Sequence, residues 1–236
     1  IWQPFLNALK KDAPEWKKYS EEFLDKMAWM QDVTTEKLGP SLWHMHPVLF
    51  LGALQNRNKL IWIKMVEKRF GTEIAESFKQ KVIEVGDELS IDPNYIMACI
   101  ALETGEKFNT SIKNPHSSAT GLIQFMSDTA EDLGTTTSKL AAMTHVEQMD
   151  YVKKYFEMQA NNFNYPTNKW SLGDVYLSIF TPAAMLLKDT DIVYSSGQRG
   201  YAVNQFHDRD KDGKIIKSEI VKNIEEFYAK GFNYEG

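Results

Sequence analysis

A chain of 236 residues that is 43% hydrophobic and 12% aromatic can build a core of its own, and its single cysteine excludes an internal disulfide framework. With 27 basic against 32 acidic residues the net charge is -5, which argues against a polyphosphate partner, so no nucleic acid is expected. No apolar run approaches the roughly eighteen residues of a membrane span, and the N-terminus lacks the basic-then-apolar order of a signal peptide.

The chain begins at Ile1 rather than Met and reads as a processed product or a domain of a longer polypeptide. From Glu15 to about Gln31, the residues Trp16, Tyr19, Phe23, Leu24, Met27 and Met30 recur at the spacing of one helix face. After Gly39 and Pro40 comes a segment with His44 and His46, whose i, i+2 spacing would suit a metal on a strand; with no third ligand nearby we read them as a packing pair. Leu60 to Phe70 predicts a helix closed by Gly71. Thr72 then caps another, with Ile74, Phe78, Val82, Val85 and Leu89 on one stripe. This divides the chain into an N-terminal helical unit, 1–71, and a larger domain, 72–236.

Asp92 followed by Pro93 starts a helix that runs to about Thr104 and ends at Gly105. Cys99 lies in its apolar run and is expected in the core. Further helical patterns cover Ser127–Leu133, His145–Asn161, Leu172–Phe180 and Ser218–Lys230. No alternating run is long enough for a sizeable sheet, so the predicted class is mainly α.

Glu103 closes the helix that Asp92 starts. The negative end of the helix dipole and the apolar neighbours Ile100, Ala101 and Leu102 both disfavour a carboxylate there, raising its pKa towards neutrality. A glutamate that stays protonated can donate to a glycosidic oxygen. Downstream, Gly121 permits a tight turn or a close approach, and Gln124 offers a donor and an acceptor suited to the acetamido groups of an aminosugar. Phe125, Tyr155, Tyr165, Trp170 and Tyr176 are candidate sugar-stacking faces, most of them expected in the core.

Glu103, a loop, and then Ser118-Ala119-Thr120-Gly121-Leu122-Ile123-Gln124-Phe125-Met126 resembles the soluble lytic transglycosylases and their goose-type lysozyme relatives. The stretch from about Lys81 to Tyr155 looks most like the versions in phage lysins and secreted antibacterial effectors. The family's Glu-Ser stands here as Glu103-Thr104, and its Ala-Tyr-Asn-Gly signature is missing. The resemblance implies a lysozyme-like helical catalytic domain with Glu103 as the acid, and Gly121 and Gln124 lining the sugar cleft. It places Thr104 in support of the acid or substrate, and Tyr176, in Asp174-Val175-Tyr176-Leu177, facing the acid. The implied partner is the glycan strand of peptidoglycan, and the implied place of action is extracytoplasmic, in the periplasm or on the wall of a target bacterium, with the export route open. Hydrolysis needs a second carboxylate, for which Glu106, Asp128 and Asp174 are candidates, whereas lytic transglycosylation does not. The scarcity of acids between Glu103 and Gly121 favours the latter.

Asp208, Asp210 and Asp212 stand at loop positions 1, 3 and 5, Gly213 at 6 and Glu219 at 12, with Lys214 at the position whose backbone carbonyl would ligate. This is the EF-hand-like calcium pattern, over 208–219. Gly197 and Gly200 make a poor entering helix, while Ile220, Ile224, Phe227 and Tyr228 mark a plausible exiting one, so calcium is expected as a structural ion and no organic cofactor is expected. A contrasting reading is a non-catalytic, calcium-stabilised wall-binding module; a third is a chitinase-like enzyme acting on another aminosugar polymer.

Overall fold

The structure is a computed structural model that describes residues 59–236, all within one compact unit spanning Arg57–Gly236. The expected helix over Glu15–Gln31 and the His44/His46 pair lie outside the described residues. What is described is mainly α-helical. In chain order it comprises α1 (Ile63–Phe70), α2 (Thr72–Leu89), α3 (Pro93–Glu103), α4 (Ser127–Asp132), α5 (Thr137–Ala142), α6 (His145–Asn162) and α7 (Leu172–Phe180). These are followed by β1 (Ile192–Ser195), α8 (Arg199–Asn204), β2 (Lys214–Ile216) and α9 (Lys217–Gly231). Among the described residues no helix is long and apolar enough to cross a membrane.

The central element is α3. Its residues Ile96 to Ala101 are buried without interruption, which happens when a helix is apolar all round and other helices cover every side. Helices α2, α7 and α9 pack against it, and α6 packs on α2. Asp92 starts α3 as expected: its side chain accepts from Asn94 N, and Pro93 occupies the first turn. Cys99 is fully buried.

Two details differ from the sequence reading for physical reasons. The first helix starts at Ile63, not Leu60, because Leu60 exchanges two backbone hydrogen bonds with Gly236 and Trp62 N donates to Gly231 O. Trp62 is buried there with its ring stacked on Tyr234, and a Cβ at Gly231 would lie 2.6 Å from its indole nitrogen, so only glycine fits. At α2 the cap is Gly71, not Thr72, whose hydroxyl donates instead to the Glu67 carboxylate. The buried stripe runs through Ala75, Phe78, Val82, Val85 and Leu89, leaving Ile74 40% exposed. The Gly71 turn thus joins two packed helices of one compact unit.

Helices α6 and α7 open with capping boxes, Thr144 with Glu147 and Ser171 with Asp174. The strands β1 and β2 pair antiparallel, Tyr194 opposite Ile215, in a two-stranded ribbon.

Candidate active site and acidic loop

Glu103 ends α3 as a partly buried residue, directly after the buried apolar run Ile96 to Ala101 and Leu102. Burial pushes its pKa up from the ordinary 4.5 to about 7, because the charged form loses water. Three titratable groups feel its charge: Cys99 one turn earlier on α3, Tyr155 of α6 and Tyr176 of α7. Burial raises the pKa of all three, so these neighbours of the carboxyl are neutral at pH 7.

Tyr176 is only 2% exposed, its ring stacked on Phe180 at 5.5 Å. Tyr155, named in the sequence only as a possible sugar face, is the second tyrosine beside the acid. Its hydroxyl donates to Ser178 O at 2.5 Å, while its ring meets Phe125 edge-on. That contact joins the Gly121–Met126 element to the acid's surroundings. Phe125, Trp170 and Tyr176 are core residues, and Tyr165 is partly buried with its hydroxyl on Asp174 and Lys169 O.

The turn itself is closed by Thr120 and Phe125, which exchange two backbone hydrogen bonds, with Gly121 at φ +87° and Gln124 at φ +54°. Leu122, Ile123 and Phe125 point inward. The close approach at Gly121 is made by Gln148 of α6: a Cβ on Gly121 would lie 2.5 Å from the Gln148 side-chain oxygen. Gln148 is fully buried, accepts from Leu122 N at 2.6 Å, and donates to Thr110 O and Leu140 O. It escaped sequence reading because a glutamine inside a helical stripe carries no signal of its own. Gln124 is partly exposed; its amide nitrogen donates to Gly121 O at 2.9 Å, which leaves its oxygen as the acceptor to offer outward. Thr104 faces the core, not the cleft. Its hydroxyl donates to Ile100 O and accepts from Phe108 N, folding the chain back after Glu103.

The other carboxylates considered for the site are engaged elsewhere. Glu106 pairs with Lys230 of α9. Asp174 closes the α7 capping box and meets the buried Lys217 ammonium at 3.5 Å. Asp128 lies in the first turn of α4, accepting from the Ser127 hydroxyl.

In the second site, carboxylate oxygens of Asp208, Asp210 and Asp212 lie within 4.8 Å of one another. The Tyr201 hydroxyl donates to Asp208 at 2.6 Å, and it, with the amides of Gly213, Lys211 and Asp212, holds that carboxyl below the usual range. Glu219 bridges the loop's two ends, accepting from Arg209 N and Ile216 N. Lys211 and Gly213 take positive φ, and Ile215 is fully buried in β2. The segment before the loop does form a short helix, α8, followed by a turn of 3-10 helix over Gln205–His207. Gly200 lies under the Tyr194 ring, where a Cβ would collide. Lys214 opens β2, its ammonium 3.9 Å from Asp212.

The two sites share scaffolding. His207, directly before the loop, is buried against Phe180, the residue stacked on Tyr176. Its Nε2 has no hydrogen-bond partner among the described residues, and burial pushes its pKa down to about 4, so the ring is neutral.

No protein-family model matches this chain, and no curated protein sequence matches it.

Proposed function

We propose that the chain is a peptidoglycan glycosidase of lysozyme-like fold, cutting the β-1,4 bond between N-acetylmuramic acid and N-acetylglucosamine with Glu103 as the acid. The observation that carries this reading is a single one: a glutamate at the end of a buried helix, desolvated enough to hold its proton to about pH 7 although the residue is only partly buried. The glycan strand is the substrate, Gln124 its amide-reading contact, and Thr104, Gly121 and Tyr176 the residues that shape the acid's surroundings. The enzyme acts outside the cytoplasm, on the wall of a target bacterium or in the periplasm.

Glu103 gives its proton to the bridging oxygen as the bond from that oxygen to C1 of the muramic acid breaks. The C6 hydroxyl of the same sugar then attacks C1, and its proton passes to the Glu103 carboxylate, which restores the acid and leaves a 1,6-anhydro end. Lytic transglycosylation of this kind needs no second carboxylate, and Glu106 and Asp174 are both held in ion pairs. Neutral Tyr155 and Tyr176 keep the pocket apolar enough for the carboxyl to recover its proton.

The loop over 208–219 fits a calcium ion as an EF-hand-like structural staple, held by Asp208, Asp210, Asp212, the Lys214 carbonyl and Glu219. An ion there would screen the mutual repulsion of three aspartates at the root of α9.

The test is release of soluble fragments from purified sacculi. Glu103→Gln is expected to lose at least about a hundredfold in rate while keeping its fold, the range in which a general acid contributes. Retention of most activity would overturn the assignment. Release by neither protein would favour a wall-binding module, and cleavage of chitin oligomers in preference to sacculi would move the substrate to another aminosugar polymer.

A further inference from the structure

The chain leaves Glu103 through a turn that its own residues disfavour. Gly105, Glu106 and Phe108 have φ of +56°, +62° and +52°, a region that suits the glycine but not a glutamate or a phenylalanine. Gly105 belongs to the helix end itself: its N–H donates to Leu102 O and that of Glu106 to Ala101 O, the pair of bonds that closes a helix on one left-handed glycine. Glu106 and Phe108 are held from outside, Glu106 by Lys230 of α9 and Phe108 by His145, the first residue of α6. Phe108 is fully buried with its ring 6.3 Å from that of Trp62; its N–H donates to the Thr104 hydroxyl at 3.0 Å, and its carbonyl lies 2.7 Å from His145 Nε2. A carbonyl oxygen only accepts, so that nitrogen carries the imidazole hydrogen. The imidazole is in turn fixed edge-on against Phe70 of α1 at 4.6 Å and Phe78 of α2 at 5.3 Å. Thr104 passes the constraint on, because its hydroxyl also donates to Ile100 O and it is the residue next to Glu103.

We propose that His145 is a positioning residue which, through Phe108 and Thr104, holds the last turn of α3 closed and so fixes where the Glu103 side chain stands. Without the bond to the Phe108 carbonyl the disfavoured turn is free to relax, the end of α3 frays, and water reaches the Glu103 carboxyl. This deepens the glycosidase reading and rests on it for its meaning in turnover, but the coupling it asserts can be measured without any substrate, in the protonation of Glu103. The titratable groups that feel Glu103 are Cys99 from its own helix, Tyr155 from α6 and Tyr176 from α7, and all three stay neutral while it titrates. Loss of a positive charge at His145 would raise the Glu103 midpoint, opposite in sign to the fall that exposure to water produces.

The experiment is a pH titration of the Glu103 carboxyl carbon by NMR in glutamate-labelled protein, its signal assigned by its loss in Glu103→Gln. It compares wild type with His145→Phe, which keeps a ring between Phe70 and Phe78 but has no donor, and His145→Gln, whose amide nitrogen stands as many bonds from Cα as the imidazole Nε2 and can still donate. The wild-type midpoint is expected at about 7, and in His145→Phe it should fall by at least about one pH unit towards the 4.5 of a solvated glutamate, while His145→Gln keeps it near the wild-type value. An unmoved midpoint in His145→Phe, or an equal fall in both variants, would overturn the proposal; the glutamine variant, a better helix former than histidine, keeps the comparison decisive if the phenylalanine variant folds poorly, since loss of the midpoint there too counts against a role for the donor. Those outcomes are distinct from failure of the glycosidase reading, which shows as full activity in Glu103→Gln and leaves this titration intact.

Discussion

Glu103 ties chemistry to stability. The folded protein holds its proton to about pH 7, the unfolded chain only to about 4.5, so folding takes up a proton between those values and stability falls as pH rises. The penalty is absent below pH 4.5, grows between 4.5 and 7, and levels above that at about 3 kcal/mol. Glu103→Gln, which has no such titration, should therefore melt well above wild type at pH 8, with the gap closing by pH 4. A gap that does not change with pH would contradict the raised pKa. Activity should fall in the same direction, as pH passes through about 7 and the acid loses its proton.

At the scale of the element, the decisive feature is the turn over 120–125 and its clamp. Gln148→Leu would leave Leu122 N, Thr110 O and Leu140 O without their partner, each costing about 1–3 kcal/mol when buried. Chemical denaturation should show a loss of about 3 kcal/mol or more, and a loss near zero would mean that water replaces the amide. Gly121→Ala should cost at least the roughly 1–2 kcal/mol of a left-handed alanine, with the collision against Gln148 added. The helix around Glu103 was legible because Asp92-Pro93 is a local start signal and six consecutive apolar residues announce burial. Helices α5 and α8 were not: six residues give too little periodicity, and tertiary packing supplies what their sequences do not. The exchange of Thr72 for Gly71 as cap, and the departure of residues 60–62 from the first helix, were settled by distant partners that no local window contains.

In the whole molecule, α9 is the strap. Its first residue, Lys217, donates to Met185 O and Leu187 O and meets Asp174 at the root of α7, while Lys230 near its end pairs with Glu106 just beyond the acid. Close by, Arg209 of the acidic loop pairs with Glu226. The loop pattern was legible as spacing alone. The pairing of its strand with β1, and the contact of His207 with Phe180, depend on chain segments whose approach only the fold decides. If calcium binds the loop, a hundredfold excess over Kd should stabilise the protein by about 2.7 kcal/mol, or several degrees in Tm. A chelator should reverse this shift and Asp212→Ala should abolish it; no shift in the wild-type protein would remove calcium from the account. The central claim, however, rests on Glu103 and is tested most directly by mass spectrometry of the fragments released from purified peptidoglycan by wild type and by Glu103→Gln. The account predicts muropeptides with 1,6-anhydro ends from the wild type and none from the variant. Reducing ends would contradict the transglycosylation step, and release by the variant at the wild-type rate would contradict the role of Glu103 itself.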